Sequence, residues 1–152
     1  KRLKKSQYLI IGPGDLYTSI IPVLLVGGIK ETIAASKAKI IFVMNLMTKA
    51  GQTTNYSVQD HLHDLERYLG RKVDIIIYNN SPIADEILNW YSKNQEEPVL
   101  LEKQAPLTTQ LIIKSIADKT AYQPNVNDKL KRSILRHNPK KLAHIISKII
   151  YA

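Results

Sequence analysis

Residues 8–19 read Y-L-I-I-G-P-G-D-L-Y-T-S, an apolar run that halts at a glycine-proline-glycine turn and continues into hydroxyl-bearing side chains. The four residues from Tyr8 to Ile11 are too few for a helix, so the run predicts a buried parallel strand opening into a loop at its carboxyl end. In open α/β sheets ligands bind at that edge, because a crevice forms there and the next helix aims its unpaired N–H groups into it. Asp15, Tyr17, Thr18 and Ser19 give such a crevice polar handles. A purely structural turn, with Thr18 or Ser19 as N-cap, fits the spacing equally well.

The stretches that follow repeat this pattern. Residues 20–26, with Pro22 near their start and Gly27-Gly28 behind them, predict a helix, and a short second helix is expected over 29–36. K-I-I-F-V-M-N at 39–45 is a continuous rather than alternating apolar run, as in strands covered on both faces, and it ends in Asn45, Thr48, Gly51, Gln52, Thr53 and Thr54. Ser57-x-x-Asp60 is a capping box for a helix carrying Val58, Leu62, Leu65 and Leu69 at helical spacing and stopped by Gly70. V-D-I-I-I-Y at 73–78 is a third strand. After Asn79-Asn80, Ser81-Pro82 predicts the start of a helix to about residue 93 that buries Ile83, Ile87 and Trp90. A short strand is expected at 99–101, 107–116 is ambiguous between strand and helix, the span 102–128 has no clear pattern, and 130–135 could form a strand. Asn138-Pro139 opens a last helix, 139–150, with Leu142, Ile145, Ile146, Ile149 and Ile150 on one stripe. Strand, helix, strand, helix, strand, helix, with polar residues at each strand end, is the signature of a doubly wound α/β domain.

Composition narrows the function. A chain of 152 residues with 44% hydrophobic and 23% charged residues is one ordinary globular domain, neither disordered nor fibrous. No apolar run nears the ~20 residues of a membrane span, and no signal peptide is visible. With no cysteine, disulfides, thiolate metal sites and cysteine nucleophiles are excluded. The net charge of +9 divides into +4 over residues 1–5, −2 over 6–118 and +7 over 119–152. The basic terminal third has only Tyr122 and Tyr151 as aromatics, so the stacking platform of a single-strand binder is missing and a nucleic-acid partner is not expected. The chain opens on Lys1-Arg2-Leu3-Lys4-Lys5 without an initiator Met, which suggests a start partway through a larger protein.

Several chemistries find no support. His61 and His63 are two apart on a predicted helix and cannot share a metal ion, so they are expected at the surface, and no metal site is predicted. His137, just before a helix N-cap, suits a turn or a ligand contact. Walker, G-x-S-x-G and paired-acid metal motifs are absent. What remains is a row of strand-end loops with neutral donors, glycines and helix N-termini, suited to a phosphorylated or nucleotide-like ligand.

G-P-G-D-L-Y-T-S-I-I-P-V-L-L-V-G-G-I at 12–29, N-L-M-T-K-A-G-Q-T at 45–53, S-V-Q-D-H-L at 57–62 and V-D-I-I-I-Y-N-N at 73–80 resemble the gluconeogenesis factor family. These CofD-like or YvcK-like proteins are relatives of 2-phospho-L-lactate transferase. R-H-N-P-K-K-L-A at 136–143 is similar to the family's Arg-His-Asp-Pro ending, with Asn138 in place of Asp. The resemblance implies a Rossmann-like three-layer α/β fold with a mainly parallel sheet, of which this chain is the C-terminal part, without the family's glycine-rich N-terminal half. It also implies a cytoplasmic homodimer and a nucleotide or nucleotide-sugar ligand held by Gly12, Pro13, Gly14, Asp15, Leu16, Thr18 and Ser19. Asn45, Thr48 and Thr53 would form the facing loop and Asp60 would orient the ligand. Gly12-Pro13-Gly14-Asp15-Leu16 departs from the Gly-Pro-Ser-Asn-Pro loop usual in the transferase branch, which favours a regulator of central carbon metabolism and cell-wall growth or cell shape. The alternative is a transferase moving a phosphorylated acyl or lactyl group from a nucleotide donor. No catalytic residue is assigned, and Mg²⁺ enters only with that alternative.

Overall fold

The computed structural model describes residues 2–102, 107–123 and 133–151. Strands β1 (Tyr8–Ile11), β2 (Lys39–Val43), β3 (Ile75–Asn79) and β4 (Gln110–Lys114) form one sheet in the order 1-2-3-4, each neighbouring pair parallel. All four carboxyl ends therefore share one edge.

Parallel strands are buried on both faces, which is why β2 and β3 carry unbroken apolar runs. Ile40, Phe42 and Ile76 join a core with Leu24, Ile33, Leu62, Leu65 and Leu69 from α1 (Ile21–Leu24), α2 (Ile29–Ala34) and α3 (Val58–Leu69). Ile41, Val43, Ile75 and Ile77 form a second core, against which Leu142, Ile145, Ile146 and Ile149 of α5 (Pro139–Ile150) pack. Helices, sheet and helix make the expected three layers. A smaller cluster draws Ile87 and Tyr91 of α4 (Asp85–Ser92) together with Leu46, Met47, Ala117 and Leu135 beyond the strand ends. No helix among the described residues is long and apolar enough to cross a membrane.

The capping box at Ser57 is present in both directions: the Asp60 N–H donates to Ser57 Oγ at 3.1 Å and the Ser57 N–H donates to Asp60 Oδ2 at 2.9 Å. The Ser57 hydroxyl and N–H together hold the Asp60 carboxyl below its ordinary pKa. Gly70 ends α3 with φ 75°, a left-handed conformation in which a side chain would also crowd Lys30.

Other elements depart from expectation for local reasons. The first helix begins early, because a π-helical turn over Leu16–Ile20 leads into α1, with the Ser19 and Ile20 N–H groups both donating to the Asp15 carbonyl. Helix α4 starts at Asp85 rather than at Ser81-Pro82. Ser81 Oγ is engaged instead by Asn79 Oδ1 and Ser115 Oγ, each at 2.8 Å, and Ala84 takes the N-cap position. Tyr91 is the buried aromatic of this helix, and Trp90 is half-buried against the same cluster. Residues 99–101 form no strand. A bridge of Met47 with Pro98 and the Val99 N–H donating to Leu46 O hold that segment. The ambiguous span 107–116 resolves as β4. Of the unpatterned span 102–128, residues 103–106 and 124–128 lie outside the described residues, as do 130–132 of the expected strand 130–135, while 133–135 form none.

His61 is not a surface residue. Its place among Val58, Leu62 and Leu65 on the inner face of α3 buries it completely, while His63 faces solvent. The Nδ1–H donates to the Ser57 carbonyl at 2.8 Å, the ring meets Tyr56 edge-on, and the bare Nε2 is buried without a partner among the described residues. Burial pushes its pKa down, against the opposing pull of the Ser57 carbonyl, Asp60 and Asp64. A histidine depressed in the folded state is protonated first in the unfolded chain, so its contribution to stability is complete above about pH 6.5 and lost as pH falls below it. Thermal melts between pH 8 and pH 5 should show the midpoint dropping below about pH 6.5, and more shallowly in His61→Leu.

Candidate functional site

The strand-end edge carries a cavity of about 640 Å³, within the range of small-molecule sites. Three segments wall it: Pro13 to Asp15 after β1, Asn45 to Lys49 after β2, and Ser133 and Leu135 to His137 before α5, with Tyr91 and Glu96 behind.

Each segment is tied down by a side chain at a strand end. Asn45 Nδ2–H donates to the Gly14 carbonyl at 2.9 Å and its Oδ1 accepts the Gly14 N–H at 3.3 Å, locking the glycine loop to the end of β2. Tyr17 donates to Asp64 and lies 3.0 Å from Tyr56, which also donates to Asp64, so the helical turn leaving that loop is pinned to α3. Burial, then Asp64 and Tyr56, keep the Tyr17 phenol well above its ordinary pKa. Thr48 exchanges hydrogen bonds with Glu97, its N–H donating at 2.7 Å and its Oγ1 accepting at 2.9 Å. Thr53 Oγ1 accepts the Lys49 N–H at 2.8 Å.

The third segment hangs from Asn79, at the end of β3. Asn79 Oδ1 accepts the N–H groups of Ile116 and Ala117, both at 2.9 Å, turning the chain after β4. That turn pairs with 136–138: the Asn138 N–H donates to Ile116 O, the Asp118 N–H donates to Arg136 O, and Asn138 Nδ2–H donates to Asp118 Oδ1. Tyr91 OH, 2.6 Å from Ser133 Oγ, accepts the Leu135 N–H at 3.0 Å. Arg136 and His137 are thereby placed on the cavity wall.

Charge is distributed unevenly over these walls. Lys49 Nζ pairs at 2.8 Å with Glu96, whose carboxylate is 5% exposed, and that bond, with Glu96 and Asp15 as nearby charges, raises the lysine pKa against its desolvation. The Arg136 guanidinium lies over the Tyr122 ring, 3.3 Å from its centroid, and has no carboxylate partner among the described residues. His137 Nε2–H donates to the Met44 carbonyl at 3.1 Å, and burial pushes its pKa down, opposed by that carbonyl and by Asp118.

Of the residues proposed for ligand contact, Pro13, Gly14, Asp15, Asn45 and Thr48 line the cavity. Gly12, Thr18 and Ser19 are exposed outside its lining, Leu16 is buried in the main core, Thr53 braces Lys49, and Asp60 caps α3. Sequence reasoning missed Lys49, Tyr91, Glu96 and Arg136. Arg136 adjoins His137 in the quoted R-H-N-P segment, whereas nothing in the pattern around Glu96 marks it. Among the described residues no group of three or more His, Asp or Glu could hold a metal ion.

Residues 1–121 match the family model of 2-phospho-L-lactate transferase CofD. The chain belongs to the CofD-like, gluconeogenesis-factor family. It is 37% identical over 150 residues to the "Putative gluconeogenesis factor" of Thermotoga maritima, covering 97% of this chain and 45% of that protein. It is 34% identical over 145 residues to the "Gluconeogenesis factor" of Halalkalibacterium halodurans, covering 95% and 42%. A crystal structure of a UPF0052 family member from Bacillus halodurans superposes with a TM-score of 0.79 at 33% identity, over 95% of this chain and 44% of that one. The chain thus spans less than half the length of these relatives.

Within this family member, removing the acceptor that carries the third wall should be costly. Asn79→Ala strands two main-chain N–H groups and is expected to lower unfolding free energy by about 2–4 kcal/mol in urea titrations, while Asn79→Asp, which keeps the oxygen, loses less.

Proposed function

We propose that the chain contributes the strand-end wall of a nucleotide or nucleotide-sugar site in a regulator of the gluconeogenesis-factor type, acting on central carbon metabolism and cell-wall growth or cell shape. The observation that carries this reading is the contrast between the cavity's two cations. Lys49 is neutralised by Glu96 and has Asp15 near it, which leaves the Asp15 carboxylate as an acceptor on that part of the wall. Arg136 is stacked on an aromatic ring with its N–H fork unpaired among described residues. A ligand with hydroxyl donors and a diphosphate suits both, since guanidinium groups bind phosphate in paired fashion and carboxylates accept from sugar hydroxyls. Membership in a family whose curated relatives are called gluconeogenesis factors supports the regulatory part. A cytoplasmic homodimer belongs to the same proposal.

The match to a model described as 2-phospho-L-lactate transferase favours one alternative, group transfer from a nucleotide donor. Product formed from such a donor only with Mg²⁺ present would establish it.

Calorimetric titration of the protein in its native length with UDP-glucose and GDP-mannose should give saturable binding to one of them. Silence with both would sink the reading. Arg136→Ala removes a charge-assisted contact from an exposed position and should weaken that binding by about tenfold or more with little change in melting temperature.

A further inference from the structure

His137 and His61 are bonded alike, yet differ in one respect. In each ring one nitrogen donates to a carbonyl, which can only accept, so the other nitrogen of the neutral ring is a bare acceptor. In His61 that acceptor is sealed in the core. In His137 it is Nδ1, and it is not among the sealed atoms: the residue forms part of the cavity wall, and no described residue donates to Nδ1. Burial keeps the ring neutral, so the acceptor is present at physiological pH.

The chemistry of the missing partner follows. A bare imidazole nitrogen needs a donor, and ionised phosphate oxygens offer none, so Nδ1 repels the group that Arg136 suits. Neighbouring residues therefore read different parts of one molecule. We infer that His137 Nδ1 accepts a hydrogen bond from a sugar hydroxyl of the bound ligand, making His137 a specificity residue of this site. This rests on the nucleotide-sugar reading above. The hydroxyl belongs to either the ribose or the attached hexose.

Two substitutions separate this role from a structural one. In His137→Gln the side-chain amide reaches the place of Nε2 and can still donate to the Met44 carbonyl, but nothing replaces Nδ1. In His137→Asn the side-chain oxygen falls near the place of Nδ1, and the bond to Met44 is lost. Each is titrated in the native-length protein with UDP-glucose and with UDP, alongside thermal melts. The expected result is a loss of about fivefold or more in affinity for His137→Gln at unchanged melting temperature, and near-native affinity with a lower melting temperature for His137→Asn. A loss seen with both ligands places the hydroxyl on the ribose, and a loss with UDP-glucose alone places it on the hexose. Native affinity of His137→Gln for both ligands overturns the inference, as does a loss of affinity that follows melting temperature in both variants. If the unsubstituted protein binds GDP-mannose instead, GDP-mannose and GDP take the place of this pair; if it binds neither UDP-glucose nor GDP-mannose, the nucleotide-sugar reading itself fails and takes this inference with it.

Discussion

The side-chain oxygen of Asn79 is the point from which the cavity edge is built. It accepts two successive main-chain N–H groups just after β4, at Ile116 and Ala117, and so bends the chain where a sixth or seventh strand residue would otherwise continue. The carbonyl of Ile116 is then free to receive Asn138, and through it the Arg136-His137 pair reaches the cavity. Asn45 does corresponding work between β1 and β2, exchanging two bonds with Gly14. Asparagine suits both places because its amide carries donor and acceptor at once without bringing charge into a half-buried turn.

The polar residues at the edge divide into those that shape the walls and those left open to a ligand. Thr48, Thr53 and Tyr91 spend their hydroxyls on neighbouring backbone, and Glu96 is buried under Lys49. A buried carboxylate without that ammonium would be strongly unfavourable, so Lys49 is better understood as the counterion of its own wall than as a free ligand cation. What is left open is a small set: Asp15 of the glycine loop, the Arg136 guanidinium and the second nitrogen of His137.

Much of the fold was legible because burial on both faces leaves a plain mark. The runs at 39–45 and 73–78 had no polar alternation, and the capping box at Ser57 with Gly70 bounded α3 closely. The start of α4 was misread because Ser81 and Pro82 carry a good helix-opening signal, but Asn79 and Ser115 compete for the same hydroxyl, a tertiary effect with no local trace. His61 is misplaced as a surface residue because the i, i+2 spacing to His63 that rules out a shared metal also separates the two rings, putting His61 on the apolar stripe of α3 with Val58, Leu62 and Leu65. The glycine loop was correctly placed at the sheet edge, yet only its middle, Pro13 to Asp15, reaches the cavity, since the helical turn begins at once and turns Leu16 inward. Glu96 and Tyr91 escaped notice because their roles depend on Lys49 and Leu135, which come near only in the folded chain.

The bonds that enclose the cavity join residues far apart in the chain, 31 positions between Gly14 and Asn45 and 93 between Met44 and His137. Closing such loops costs entropy before any contact repays it, whereas α3 with its cap can form from a dozen neighbouring residues. The cavity is therefore complete only when β2 and the segment before α5 have met. A ligand that bridges Arg136 and the glycine loop would draw on contacts present only in the native state. Its binding would stabilise the whole domain rather than one loop, and occupancy of the site would report on the integrity of the entire sheet.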